Sequence, residues 1–212
     1  LKYPKIDQIV FLGDFFDDFY DDYRDASNTA QWLKDQLKHE NRVFLYGNHD
    51  LHYAFQSKFT KCSGYEADKC LAIGDILNQK DWDKFKFHYW IDDYLLTHAG
   101  LHKDHVKGVT DLRSFLNKEE ESAQLAVRSF NKDHWIYHAG LARCGSGLGG
   151  ITWCDANIEF RPIPKLKQIF GHTPQYPEKV PKIIGKKPYL NYCIDTLLEH
   201  YIVIENGKSI IR

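Results

Sequence analysis

Two short apolar runs constrain this chain more than any other feature. Residues 8–12 (Gln-Ile-Val-Phe-Leu) and 42–46 (Arg-Val-Phe-Leu-Tyr) have the length and composition of buried strands. Between them, residues 28–40 place Ala30, Leu33 and Leu37 on one face of a helix, with Ser27 or Asn28 available to cap it. Strand, helix, strand in this order predicts a βαβ unit with parallel strands and a right-handed crossover. Both strands then end at the same edge of the sheet. The first ends in Gly13-Asp14-Phe15-Phe16-Asp17 and the second in Gly47-Asn48-His49-Asp50, so Asp14 and Asn48 are brought side by side. Gly47 allows the sharp turn such a strand end needs.

The rest of the chain repeats the pattern. Residues 91–97 read as a third strand ending in His98-Ala99-Gly100, and residues 163–170 lead to a fourth strand end at Gly171-His172-Thr173-Pro174. Residues 111–132 look helical, and residues 143–150 (Arg-Cys-Gly-Ser-Gly-Leu-Gly-Gly) form a glycine-rich loop. Later strands are expected at 189–194, 201–204 and 209–211, the last two joined by the hairpin dipeptide Asn206-Gly207. The aromatic, mixed-charge segment 51–90 reads as helices and loops beside the site. His-Ala-Gly-Leu occurs at both 98–101 and 138–141, and residues 133–137 also have a strand-like look, so His98 and His138 compete for one role. The acidic stretch 17–25 lacks the spacing of a calcium loop and reads as a solvated acidic loop.

The expected architecture is one α/β domain over residues 1–212, with 43% apolar residues to fill a core. A net charge of −1 gives no bulk attraction to nucleic acid or to an anionic membrane. No stretch has the length of a membrane span. The five cysteines are odd in number and irregularly spaced, which points to free thiols in a reducing, cytoplasmic setting, with a Cys62–Cys70 pair that bridges or binds metal as the alternative. The chain starts at Leu1 and contains no methionine, so a preceding segment is expected and a signal peptide is left open.

Asp14, Asn48, His98 and His172 together offer carboxylate and amide oxygens and two imidazoles. Mixed oxygen and nitrogen donors without thiolate suit manganese, iron or zinc. A carboxylate can bridge two such ions, and a pair of ions can clamp a phosphoryl group. His49 follows Asn48 directly and is free to act as a general acid. Asp17 can orient its imidazole and raise its pKa.

In order and character, Gly13-Asp14-x-x-Asp17, Gly47-Asn48-His49-Asp50, His98-Ala99-Gly100 and Gly171-His172 resemble the calcineurin-like metallophosphoesterases. Gly150-Ile151-Thr152-Trp153, the run to Thr173-Pro174 and Ile194-Asp195-Thr196 are similar to small bacterial and bacteriophage phosphatases of the serine/threonine phosphatase branch. The resemblance implies two packed mixed β-sheets flanked by helices. It implies two divalent metal ions, manganese before iron or zinc, with Asp14 bridging and Asn48, His98 and His172 completing the second site. His49 becomes the catalytic acid, paired with Asp17. The reaction implied is hydrolysis of a phosphate monoester by a metal-bound hydroxide, on a phosphoprotein, nucleotide or small molecule. Choosing His98 over His138 leaves the segment from Arg143 to Trp153 between the two histidine ligands, as the family pattern has it.

Two departures modify the expectation. The family opens with Gly-Asp-x-His well before the bridging aspartate, and only 13 residues precede Asp14. The Asp and His of that motif are therefore expected upstream of Leu1; without them a catalytically degenerate binding protein is the alternative. Asp18 stands where the protein phosphatases carry a phosphate-binding arginine, so Arg143, then Arg161, is expected to supply the cation. A phosphodiesterase, nuclease or dinucleoside polyphosphate hydrolase shares the same metal core. It would differ in the cleft walls, expected around residues 51–90 and 143–161.

Overall fold

The computed structural model describes residues 6–212. Leu1–Lys86 and Phe87–Arg212 are two compact units. In the first, β1 (Ile9–Phe11), α1 (Tyr23–Gln36) and β2 (Arg42–Phe44) form the βαβ unit, with Ile9, Val10 and Phe11 paired in parallel to Arg42, Val43 and Phe44. Helix α1 begins at Tyr23, ahead of the expected start at residue 28. Asp22 caps it by accepting from the Arg24 and Asp25 amides, and the Asp25 carboxylate returns a bond to the Asp22 amide. Part of the expected solvated acidic loop is thus a capping box with aspartate in the glutamate position. Ala26, Ala30 and Leu33 form the buried face.

After β2 come α2 (Asn48–Phe55), α3 (Ala67–Gly74) and α4 (Gln79–Trp82), the helical and loop material expected over 51–90. The chain then returns beside β2, where Leu45 bridges Lys86 in parallel. The core of this unit is aromatic. Phe44 stacks on Phe11 at 5.1 Å, and Phe85 packs 5.5 Å from Phe44 and 5.2 Å from Tyr46. Each fully buried ring contributes about 1.5–3 kcal/mol by leaving water. They make a rigid base for the polar loops at the strand ends.

The second unit holds a five-stranded mixed sheet. The single strand expected at 91–97 is instead a hairpin, β3 (His88–Ile91) and β4 (Tyr94–Thr97), with Ile91 opposite Tyr94. The turn is Asp92-Asp93, and Asp92 adopts a left-handed φ of 52° that Asp tolerates in tight turns. Helix α5 (Leu112–Leu125) runs on into a π-turn at Ala126–Phe130, filling the predicted helical span. Residues Trp135–Tyr137 form a 3-10 turn capped by the His134 imidazole, not a strand. Strands β5 (Lys167–Phe170), β6 (Lys182–Lys186) and β7 (Tyr189–Cys193) complete the sheet in the order β3-β4-β5-β7-β6. Strands β4, β5 and β7 run parallel, and β3 and β6 are antiparallel edges. Finally β8 (Ile202–Glu205) and β9 (Lys208–Ile211) form the predicted hairpin, with Asn206 and Gly207 at φ 52° and 69°. Among the described residues no helix is long and apolar enough to cross a membrane.

Candidate active site

The two strand-end loops of the first unit touch through their glycines. Gly13 has φ 96°, and a Cβ there would strike the Gly47 backbone; a Cβ on Gly47 would strike Asp14. Only glycine at both positions lets the loops approach this closely. Asp14 itself has φ 58°, and its Oδ1 accepts from the His49 amide at 3.1 Å. That amide belongs to the first turn of α2, where a negative charge is favoured. The expected juxtaposition of Asp14 with the Asn48 segment is therefore present.

The fastening comes from Asp50. Its buried carboxylate accepts from the Asp14 amide (2.9 Å), the Phe15 amide (2.9 Å) and the Gly47 amide (2.8 Å). One side chain of α2 thereby holds the loops that follow β1 and β2. Sequence reasoning gave Asp50 no role of its own. The available signal was its place at the third helical position after a glycine cap.

Asp17 and His49 meet as expected, with His49 Nδ1 3.4 Å from Asp17 Oδ2. The other carboxylate oxygen, Oδ1, accepts from the Tyr53 hydroxyl at 2.6 Å and from the Lys69 ammonium at 3.3 Å. Lys69 is buried and also donates to the Gly64 carbonyl. Burial opposes the charge on both members of the pair. For Asp17 the bonds from His49, Tyr53 and Lys69 outweigh burial and hold its pKa below the usual carboxylate range. For His49 burial is outweighed by Asp17, Cys62 and the Asp14 charge, and its pKa is raised to about 11. Asp17 thus favours the protonated form of the imidazole. Cys62 Sγ lies 3.6 Å from His49 Nδ1 and 3.6 Å from the Asn48 carbonyl. Tyr53, Cys62 and Lys69 all come from the segment read as cleft wall, in which the sequence singles out Cys62 only together with Cys70, as a pair that could bridge or bind metal.

In the second unit the two predicted histidine ligands come together. His98 follows β4 and His172 follows β5, and these strands pair in parallel. The Gly171 amide donates to the His98 carbonyl at 2.7 Å, so the two loops are tied at their tips. His98 Nε2 is 3.2 Å from His172 Nδ1. Two nitrogens at about 2.1 Å from one ion lie about 3.0–3.4 Å apart, so this pair fits shared coordination. The His98 loop is further fixed by Gln168, whose buried amide accepts from Leu101 N (2.8 Å) and donates to Leu101 O (3.1 Å). Gly100, at φ 93°, packs against the Phe160 ring, which a Cβ would meet at 2.9 Å. His138 Nε2 lies 2.8 Å from Asp133 Oδ2.

The two predicted phosphate-binding arginines have different surroundings. Arg143 ends a 3-10 turn and forms an ion pair with Asp155 at 3.1 Å. Arg161 donates from one nitrogen to the carbonyls of Ile158, Glu159 and Phe160, closing its own loop.

In each unit by itself, carboxylate, amide or imidazole groups stand at the ends of strands, the donor types that a metal-dependent hydrolase of mixed α/β fold presents. The chain belongs to the calcineurin-like phosphoesterases, whose family model matches residues 1–176. The family's chemistry is metal-dependent phosphoester hydrolysis, and the mixed α/β architecture is that of the metallo-dependent phosphatases. No curated protein matches the chain. Among solved structures it is similar to a cold-active protein-tyrosine phosphatase of a psychrophilic Shewanella species, with TM-score 0.60 and 15% identity over 95% of this chain and 65% of that one. A second structure of a cold-active protein tyrosine phosphatase gives TM-score 0.60 and 14% identity over 95% of this chain and 64% of that one. The chain therefore spans just under two thirds of these proteins' length, and at such identity the likeness is one of fold.

Proposed function

We propose that the protein is a metal-dependent phosphomonoesterase in which His49 is the general acid and Asp17 its orienting partner. The observation that carries this reading is the Asp17–His49 pair, with its carboxylate fixed from behind by Tyr53 and Lys69. A phosphate monoester with a poor leaving group needs a proton on the departing oxygen, and a buried imidazolium supplies it.

Asp14, Asn48, His98 and His172 are the proposed metal ligands, in a dinuclear site. The 3.2 Å spacing of the His98 and His172 nitrogens and the all-oxygen-and-nitrogen donor set fit manganese, with iron or zinc as alternatives. When bound, such ions lend positive charge to the phosphoryl oxygens and make water a competent nucleophile near neutral pH. Asp14 is held toward this role by the His49 amide, and Asp50 fixes the turn that carries it. With Nδ1 of His49 turned to Asp17, Nε2 is the nitrogen that delivers the proton. Arg143, kept in place by Asp155, is the proposed phosphate-binding cation in place of the arginine that Asp18 displaces.

The substrate class is tested by comparing aryl and alkyl phosphates, a phosphotyrosine peptide and a phosphodiester, with manganese supplied or stripped by chelation. The related solved structures are titled protein-tyrosine phosphatases, which makes the phosphotyrosine peptide the first phosphoprotein mimic to try. Monoester turnover that falls on chelation and returns with manganese is expected. Preference for the diester would move the protein to the nuclease and phosphodiesterase side of the family. Absence of turnover with metal bound would leave a binding role.

A further inference from the structure

Asp17, His49 and Cys62 place a carboxylate oxygen, an imidazole nitrogen and a thiol within 4.8 Å of one another. Two of the spacings are those of a tetrahedral ion. With zinc–nitrogen and zinc–oxygen bonds of about 2.05 Å and a zinc–sulfur bond of about 2.3 Å, tetrahedral edges are about 3.4 Å for N···O and about 3.6 Å for N···S. The observed His49 Nδ1 to Asp17 Oδ2 distance is 3.4 Å, and Cys62 Sγ to His49 Nδ1 is 3.6 Å. Asp17 divides its oxygens suitably. Tyr53 and Lys69 take Oδ1, and Oδ2 is the atom directed to His49. His49 and Cys62 are both partly exposed, so an ion can enter and solvent can complete the coordination. The proposed catalytic ligands are all oxygen and nitrogen. A thiolate here changes the preference toward a softer ion.

We propose that Asp17, His49 and Cys62 form a second metal site, selective for zinc over manganese, that switches the enzyme off. Zinc at this site displaces the thiol proton of Cys62 and the Nδ1 proton of His49. The ring is then a neutral ligand fixed to the metal, and giving up its remaining Nε2 proton would leave an imidazolate, so it is a far weaker acid toward a leaving group than the imidazolium. The inhibitory consequence rests on His49 being the general acid, whereas the metal site itself does not.

The test uses cobalt as the visible substitute for zinc, added to protein already loaded with manganese. Wild type should develop a sulfur-to-cobalt charge-transfer band that zinc abolishes by displacement. Cys62→Ser and Cys62→Ala should lack the band while keeping their circular dichroism and their manganese content, and the effect of zinc is read against each variant's own turnover without zinc. Zinc should inhibit wild type with at least about tenfold higher affinity than either variant, since removing a ligand should cost no less than removing an outer-shell partner. Absence of the band in wild type, or its persistence in both variants, would overturn the proposed site. A Cys62-dependent band with no loss of turnover on adding zinc would establish the site and refute the role given to His49.

Discussion

Replacing Asp50 by alanine should unfasten the two strand-end loops. The carboxylate accepts from three amides, those of Asp14, Phe15 and Gly47, at 2.8–2.9 Å, and its side chain is fully buried. Hydrogen bonds to a charged acceptor are worth about 1.5–3 kcal/mol each, and a buried donor left without one costs a similar amount. Allowing for non-additivity, Asp50→Ala should cost about 3–6 kcal/mol, a large share of a typical total of about 5–15 kcal/mol. For a chain of this size that is a fall in Tm of roughly 10–20 °C. Asp50→Asn retains one oxygen of the same shape and should lose about half as much. Urea denaturation gives the size of the effect, and amide hydrogen exchange gives its location. Exchange at residues 14, 15 and 47 should accelerate before that of β1 and β2 in the asparagine variant. If the alanine variant unfolds within about 0.5 kcal/mol of wild type, the range of an ordinary surface change, the fastening role is refuted.

Gly47→Ala should be destabilising by several kcal/mol, because the new Cβ would overlap Asp14 and backbone cannot yield cheaply; thermal unfolding reads this directly. Tyr53→Phe removes the 2.6 Å bond to Asp17 with little change in packing. It should lower kcat on an alkyl phosphate by about tenfold, equivalent to about 1.4 kcal/mol, and on p-nitrophenyl phosphate much less. A matched loss on both substrates would contradict a positioning role. Asp22 has its pKa lowered, first by the Arg24 amide and then by the Asp25 amide of the helix it caps. A depressed folded pKa means that its contribution is complete above the ordinary value of 3.8 and is lost as pH falls through the folded value. Asp22→Asn should therefore flatten the acid limb of a urea-denaturation pH series, and an unchanged limb would count against the cap.

What could be read from sequence was set by periodicity. Strands β1 and β2 and their crossover helix were legible because short apolar runs and a helical stripe are local signals. The Asn206-Gly207 hairpin was legible because its turn chemistry is nearly unique. The β3–β4 hairpin was missed because Asp92-Asp93 looked like a polar interruption within one strand, although Asp can take the left-handed conformation the turn uses. Edge strand β6, Lys-Ile-Ile-Gly-Lys, carries lysines and a glycine that mask a strand while protecting an exposed sheet edge. At the site, residues at strand ends stood out because their chemistry follows apolar runs. Tyr53 and Lys69 did not, and Cys62 was noticed only beside Cys70, since their roles depend on tertiary contacts to Asp17 and His49. A lysine reads from sequence as a solvent-facing charge, and nothing local marks Lys69 as buried against a carboxylate. Gln168 was hidden within a strand, where its amide serves a loop from elsewhere in the chain.

The central claim is that His49, braced by Asp17, protonates the leaving group and does not hold the metal. Its most direct test is the leaving-group dependence of kcat/KM for His49→Asn, measured on a series of phosphate monoesters together with metal content per chain. The account predicts full metal content and a loss that grows steadily as the leaving group becomes more basic. A loss equal across the series, or a variant that no longer retains its metal, would contradict it.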